Sequence, residues 1–171
     1  MKKTLKTVAF LIFAALLVYN YYPEQKLPEN SVIDSLVVHK SKREMLAFSK
    51  GELVKVYKIS LGGNPIGRKE FEGDKKTPEG VYFIDGKSDK SRYYKNLGIS
   101  YPNKQDIEHA KSKSKSAGGD VKIHGIKNGL GAIGKLHRLF DWTLGCIAVT
   151  NGEMEELYNA VQIGAEIEIK P

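Results

Sequence analysis

Residues 123–146 read IHGIKNGLGAIGKLHRLFDWTLGC and lead into a short apolar run. This stretch holds the only cysteine and the only tryptophan of the chain, two of its four histidines and five of its seventeen glycines. The alternation at residues 121–124 predicts a strand that ends on His124, and residues 146–149 predict a second strand that begins on Cys146. We therefore expect the two strand ends to place an imidazole beside a thiol.

A thiol beside an imidazole is a chemically meaningful pair. A free thiol is only a few per cent ionised at neutral pH, and a neighbouring protonated histidine lowers the thiol pKa and supplies a positioned acid or base. Gly145 removes side-chain bulk next to Cys146, so backbone N–H groups at this turn are candidates for binding an oxyanion. A single cysteine forms no internal disulfide, and a leftover thiol in an oxidising compartment indicates reactivity or intermolecular pairing.

Composition and charge indicate an ordinary globular domain. The chain has 171 residues, of which 41% are hydrophobic and 27% charged, enough for one domain with a core. The formal charge is +7, but three lysines precede the N-terminal apolar run. The remaining chain is mildly basic, which suits an anionic partner without indicating nucleic acid.

The N-terminal segment predicts attachment to a membrane. Residues 8–18 read VAFLIFAALLV, behind the lysines and in front of three tyrosines, and no small-residue cleavage signal follows. We expect an uncleaved anchor with the lysines in the cytoplasm, and a cleaved signal peptide is the alternative. The domain division is then 1–22 for the anchor or signal, 23–32 for a tether and 33–171 for the domain.

The rest of the chain predicts a mainly β fold. Thr150 and Glu153 form a T-x-x-E capping box, followed by an apolar stripe that ends at Val161. A second, polar helix is predicted at 106–115. With many short strands, these elements indicate a β-sandwich or barrel with short helices. Further strand patterns lie at 35–39, 45–48, 53–59, 81–84, 97–101 and 165–169.

Three motifs in order resemble a known family. They are GDKKTPEG at 73–80, IHG at 123–125 and TLGCIAVTN at 143–151. The set resembles the L,D-transpeptidase catalytic domain of bacterial cell-wall enzymes, over roughly residues 33–170. The resemblance implies an L,D-transpeptidase-like β-sandwich with short helices, which needs no cofactor or metal.

The resemblance also implies a reaction and a location. Such enzymes cross-link peptidoglycan stem peptides in the cell envelope, so the domain is expected in the periplasm or another extracytoplasmic space. Cys146 would attack the carbonyl after the third stem residue, expel D-Ala and form a thioester that an amine of a neighbouring stem accepts. His124 would be the acid/base, with its ring oriented by the Gly125 carbonyl. Backbone N–H groups of Gly145, Cys146 and Leu144 would hold the oxyanion.

The sequence departs from the commonest family pattern at two positions. Leu144 stands where many members have histidine, and Ala148 where many have arginine. Arg138 is therefore predicted to contact a substrate carboxylate from the preceding loop. His137, Trp142 and Leu144 are further candidates for substrate binding. His137 is expected at the surface, as an orienting residue or in catalysis. Trp142 either shapes the cleft, stacks on sugar or packs in the core. These departures resemble a subgroup in which some members cleave linkages.

Three alternatives follow from the same residues. The first is a thiol hydrolase that uses the Cys–His pair with water as acceptor. The second is a zinc site from His124, His137, Asp141 and Cys146, whose ligand types are suitable but whose spacing lacks a short pair. The third is a non-enzymatic module that binds the anionic wall. Asp141 is otherwise expected to cap a turn or to pair with Arg138.

Overall fold

Eight strands in one hydrogen-bonded order organise the protein. The computed structural model describes residues 2–171, so the first residue of the predicted anchor lies outside the described residues. The strand order is β3-β2-β1-β8-β4-β5-β6-β7, with β1 parallel to β8 and β6 parallel to β7. The elements are α1 (Lys2–Tyr21), β1 (Ile33–His39), β2 (Glu44–Ser49), β3 (Glu52–Lys58), β4 (Gly80–Ser91), β5 (Tyr94–Ile99), α2 (Lys104–Ser112), β6 (Lys122–His124), a 3₁₀ segment (Gly131–Leu139), β7 (Ile147–Ala148), α3 (Asn151–Ala160) and β8 (Val161–Lys170).

The core lies on the inner face of this curled sheet. In β8 the side chains of Ala165, Ile167 and Ile169 are buried, while Glu166 between them is exposed. This alternation is the period-two pattern of a strand with one wet face. The predicted mainly β fold with short helices is confirmed.

Local side-chain caps set the helix boundaries. The Thr150–Glu153 capping box is present at the start of α3. The last residue of the predicted stripe, Val161, instead caps α3 and begins β8, because its backbone is extended. Helix α2 begins earlier than predicted, since the Asn103 side chain accepts a hydrogen bond from the Asp106 N–H and forms a second capping box.

The β4–β5 hairpin is longer than predicted, and its tip is tied to the loop after β6. The polar residues 85–91 lack an apolar alternation, but they continue β4 by pairing with β5. At the tip, Tyr94 N–H donates to Asn128 Oδ1 and Asn128 N–H donates to the Arg92 carbonyl. These bonds hold the hairpin tip beside the end of β6, where His124 lies.

Helix α1 leaves the domain with its apolar surface uncovered. It has 20 residues, is long and apolar enough to cross a membrane, and has no buried residue. The residues after it, which the sequence predicts as a tether, contact the domain. Leu27 N–H donates to Glu156 and Leu27 packs against the core.

Candidate active site

The parallel pairing of β6 with β7 brings the two central candidates together. Ile123 pairs with Ile147 and His124 pairs with Ala148. The strand predicted to begin on Cys146 begins at Ile147, so Cys146 lies directly before it, next to the strand of His124. Both residues line one cleft of about 710 Å³. The other charged and aromatic residues that line the cleft are Lys69, Glu72, Lys75, Lys90, Arg92, Tyr93, Asp120, Lys122 and Trp142.

A backbone carbonyl fixes the orientation of the buried His124 ring. His124 Nδ1 lies 2.7 Å from the Gly125 carbonyl oxygen. Since a carbonyl only accepts, we assign the proton to Nδ1, and Nε2 keeps its lone pair. Burial lowers the pKa of His124. The imidazole is therefore neutral at neutral pH, in the tautomer that accepts a proton at Nε2.

Two aromatic rings enclose the imidazole. The Tyr93 ring from the hairpin tip lies 4.7 Å from the His124 ring between centroids, and the Trp142 ring lies 5.6 Å away at 67°. Such rings exclude water and disfavour the charged imidazolium. Trp142 thus lines the cleft beside His124.

The Cys146 thiol is protonated in the resting protein. Burial raises its pKa, and the Lys122 backbone N–H and the Lys122 and Lys69 charges oppose this only in part. Sγ donates a weak hydrogen bond to the Asp120 carbonyl at 3.7 Å. Within residues 2–171 no hydrogen bond joins this thiol to His124. The expected resting thiolate–imidazolium pair is therefore replaced by a neutral pair, because burial disfavours both charges.

The turn that carries the thiol uses one of the three predicted oxyanion donors for itself. Thr143 Oγ1 accepts a hydrogen bond from Gly145 N–H at 3.1 Å and donates to the Cys146 carbonyl at 2.7 Å. The N–H groups of Leu144 and Cys146 donate no hydrogen bond within the described part of the chain. These two are the donors that remain available to an oxyanion.

The loop before β4 presses directly on this turn. A Cβ at Gly145 would lie 2.7 Å from the Lys76 carbonyl oxygen, and Gly145 has φ +136°. The loop keeps its shape because Asp74 accepts hydrogen bonds from Lys69 Nζ and from the backbone of Glu70, Phe71 and Lys76. The side chains of Lys69 and Asp74 are each 5% exposed. The motif at 73–80 thus supports the turn that carries the nucleophile candidate.

His137 supports Trp142 from behind the cleft, whose lining does not include it. Trp142 Nε1 donates to His137 Nδ1 at 3.4 Å, and Ser60 Oγ donates to the His137 carbonyl at 3.0 Å. Burial lowers the pKa of His137 to about 4, with the Arg138 charge as the next cause. His137 is therefore a neutral residue that orients Trp142.

Arg138 also lies outside the cleft. Its side chain is 6% exposed and binds Glu24 at 2.7 Å and Glu153 at 2.7 Å. Two carboxylates already bind the guanidinium, so a contact with a substrate carboxylate has no support in this arrangement.

Asp141 pairs with Arg43 and not with Arg138. Since His137 and Asp141 do not line the cleft, the four residues of the zinc hypothesis are not assembled there.

The cleft rim carries basic groups that the sequence did not single out. Lys75, Lys90 and Arg92 are exposed and have no carboxylate partner among residues 2–171. Lys122 pairs only with the exposed Asp120 at 2.6 Å. Leu144 stands on the same rim and is 75% exposed. The polar run in β4 and the hairpin tip, which lack hydrophobic periodicity, contribute two of these basic groups.

Comparisons with known proteins agree with this architecture. The sequence model of the YkuD family, described as the L,D-transpeptidase catalytic domain, matches residues 33–169. YafK of Escherichia coli K12, named as a putative L,D-transpeptidase, is 31% identical over 112 residues, which are 64% of this chain and 38% of YafK.

Solved structures give the same result. The helical cell shape determining protein Pgp2 of Campylobacter jejuni superposes with a TM-score of 0.61 and 26% identity, over 82% of this chain and 48% of that chain. An L,D-transpeptidase of Xylanimonas cellulosilytica superposes with a TM-score of 0.52 and 16% identity, over 86% of this chain and 65% of that one, and shares the fold. The chain thus spans about half or less of the length of YafK and Pgp2.

Gly145→Ala should damage the turn. Its Cβ would meet the Lys76 carbonyl and its φ is unfavourable for alanine, so we expect a loss of roughly 1–3 kcal/mol of unfolding free energy. Urea unfolding measures it. The control Gly152→Ala in α3, whose Cβ would meet nothing within 4 Å, should be neutral or stabilising. Equal effects of the two changes would contradict the packing argument.

Cys146 should alkylate slowly in the free protein. Because its pKa is raised, the thiolate fraction is below that of an ordinary thiol of pKa ~8.5 at every pH up to that value. The rate of iodoacetamide labelling against pH, with glutathione as reference, gives the midpoint. A midpoint below that of glutathione would show a thiolate stabilised at rest.

His137 should make folding stability depend on pH. Its pKa is about 4 in the folded state and near 6.5 unfolded, so its contribution is complete above pH ~6.5 and is lost as the pH falls towards 4. The loss is on the order of 3 kcal/mol. His137→Gln should remove this part of the pH dependence in urea unfolding at pH 7 and 4.5. An equal change in the free energy of unfolding between pH 7 and 4.5 for both proteins would contradict this prediction.

Proposed function

The chain belongs to the L,D-transpeptidase catalytic-domain family, and from that premise we propose that it transfers acyl groups between peptidoglycan stem peptides. Cys146 is the nucleophile and His124 the acid/base. The observation that carries the proposal is the buried His124 ring, whose Nδ1 is bonded to the Gly125 carbonyl and whose Nε2 makes no hydrogen bond among residues 2–171. The strand of His124 pairs with the strand that directly follows Cys146.

The first half-reaction forms a thioester. His124 Nε2 takes the thiol proton as Sγ attacks the carbonyl carbon after the third stem residue. The N–H groups of Cys146 and Leu144 stabilise the oxyanion of the tetrahedral intermediate. The carbon–nitrogen bond then breaks, and His124 returns the proton to the nitrogen of the leaving D-Ala. In the second half-reaction an amine of another stem attacks the thioester and gives a proton to His124. The carbon–sulfur bond then breaks, and His124 returns the proton to Sγ, which restores the Cys146 thiol.

The resting hydrogen bond of the thiol has a consequence for this step. Sγ–H points to the Asp120 carbonyl, so the thiol has to rotate before it meets His124 Nε2. The Lys122 N–H and the Lys69 and Lys122 charges favour the thiolate once it forms. Proton transfer therefore accompanies substrate binding rather than preceding it.

The charge of the rim supports an acidic substrate. Lys75, Lys90 and Arg92 present unpaired cationic groups, while Ala148 is fully buried. Stem peptides carry several carboxylates, which such groups bind through charge-assisted hydrogen bonds. The rim thus provides the positive charge that Ala148 does not.

The N-terminal helix supports a location at the cytoplasmic membrane. Its length and composition suit a single span, and the lysines that precede the apolar run favour the cytoplasmic side. The catalytic domain then lies in the extracytoplasmic space of the cell envelope. Since Pgp2 of Campylobacter jejuni is a helical cell shape determining protein, we extend the proposal to wall remodelling that affects cell shape.

The full-length protein with a disaccharide-tetrapeptide substrate tests the reaction. We expect a mass adduct on Cys146 that hydroxylamine releases, followed by cross-linked dimers. Cys146→Ala should give no adduct, and His124→Gln should lower turnover by about 10²-fold or more. The control His39→Gln changes a histidine at the end of β1 that does not line the cleft, and should retain turnover.

The products separate the alternatives. Trimmed monomers without dimers would assign water as the acceptor and make the protein a thiol hydrolase. Folded protein with a reduced thiol that gives neither adduct nor turnover on several stem types would contradict the enzymatic proposal and favour a wall-binding module.

A further inference from the structure

The 3₁₀ segment and its flanks show an inverted distribution of polarity. Leu130, Ile133, Leu139 and Phe140 are exposed, and the last two have 59% and 65% of their surface accessible. Between them, the side chains of Lys135, His137 and Arg138 are directed inward and buried. Apolar residues outside and charged residues inside are the arrangement expected of a surface that faces an apolar medium.

We propose that these four apolar residues, here called the interfacial patch, rest on the lipid bilayer that α1 crosses. The proposal rests on the membrane attachment of α1 and is independent of the catalytic reaction. The partner of the patch is the headgroup and upper acyl region of a phospholipid bilayer, which accommodates apolar side chains to a depth of about 5–10 Å.

Direct contacts with the end of α1 place the patch at this depth. Asn20 Nδ2 donates to the Ala132 carbonyl, and a Cβ at Gly134 would lie 2.6 Å from Asn20 Oδ1. Lys135 Nζ donates to the Tyr22 carbonyl and lies 5.6 Å from the Tyr19 ring centroid. A 20-residue helix spans about 30 Å, the thickness of the hydrocarbon core.

The last turn of α1 therefore lies at the membrane–water interface. Tyr19, Tyr21 and Tyr22 are residues that favour this region. The 3₁₀ segment touches this turn and so lies at the same level. The patch residues flank the positions that contact this turn, which favours lipid over a protein partner.

An ion-pair clamp keeps the patch in this orientation. Glu24, just after α1, binds Arg138 at 2.7 Å and lies 3.7 Å from Lys135. Arg138 also binds Glu153 in α3 at 2.7 Å. Because both sides of the connection are held, the domain does not swing freely on its anchor. Trp142 follows Phe140 by two positions, so one wall of the cleft is close to the membrane.

Site-directed fluorescence on the full chain tests the patch. In a Cys146→Ser background, single cysteines replace Ile133 or Phe140, carry a bimane label and are reconstituted in phosphatidylethanolamine–phosphatidylglycerol nanodiscs with nitroxide lipids. Leu11→Cys in the middle of α1 is the reference for insertion, and Ile66→Cys, 82% exposed in the loop before β4, is the matched control. We expect quenching at both patch positions at least about twofold above that at Ile66.

The outcomes are distinct. Quenching at Leu11 without quenching at Ile133 and Phe140 would overturn the patch and leave the anchor in place. Absence of quenching at Leu11 would overturn both, without bearing on the adduct assay for Cys146. Glu24→Gln, which weakens the clamp, should reduce quenching at Phe140 and leave Leu11 unchanged. Unchanged quenching at Phe140 would overturn the clamp.

Discussion

The parallel pairing of β6 with β7 is the constraint on which the proposed chemistry depends. Only two residues of β7 take part, and a shift of one position would turn His124 or Cys146 to the opposite face. Backbone hydrogen bonds on both sides of β7 hold the register of this pairing. Ala148 exchanges two backbone hydrogen bonds with Ser60, and Val149 N–H donates to the His124 carbonyl. The relation between thiol and imidazole is thus set by backbone pairing and needs no side-chain contact between them.

Burial decides the charge state of this pair, and with it the resting reactivity. A thiolate reacts with oxidants and electrophiles, whereas a thiol does so slowly. The enclosed His124 and the half-buried Cys146 both favour their neutral forms. In the proposed reaction, charge separation then accompanies the binding of a substrate that replaces water and places its carbonyl oxygen at the turn. The same burial that lowers reactivity at rest strengthens every electrostatic interaction in the occupied cleft.

Local signals in the sequence predicted the parts of the fold that local interactions form. The His–Gly strand end, the Thr150–Glu153 box and the alternation in β8 all belong to this class. The long β4–β5 hairpin and the 3₁₀ segment were missed, because residues 85–91 and 131–139 have neither strand nor helix periodicity and owe their structure to distant partners. Asn103 was missed as a helix cap because the prediction began the helix at Asp106.

Arg138 shows why residue type alone does not assign a role. A guanidinium suits a carboxylate, and the sequence reasoning therefore directed it to the substrate. In the structure Glu24 and Glu153 meet this preference from within the chain. Glu153 also caps α3, the helix that follows the strand of Cys146. Because Glu153 is buried and Arg138 is its ion-pair partner, removing Arg138 would leave the Glu153 charge uncompensated. One ion-pair cluster therefore links the connection after α1 to the helix that follows Cys146, so the orientation of α1 and the position of the proposed nucleophile are not independent.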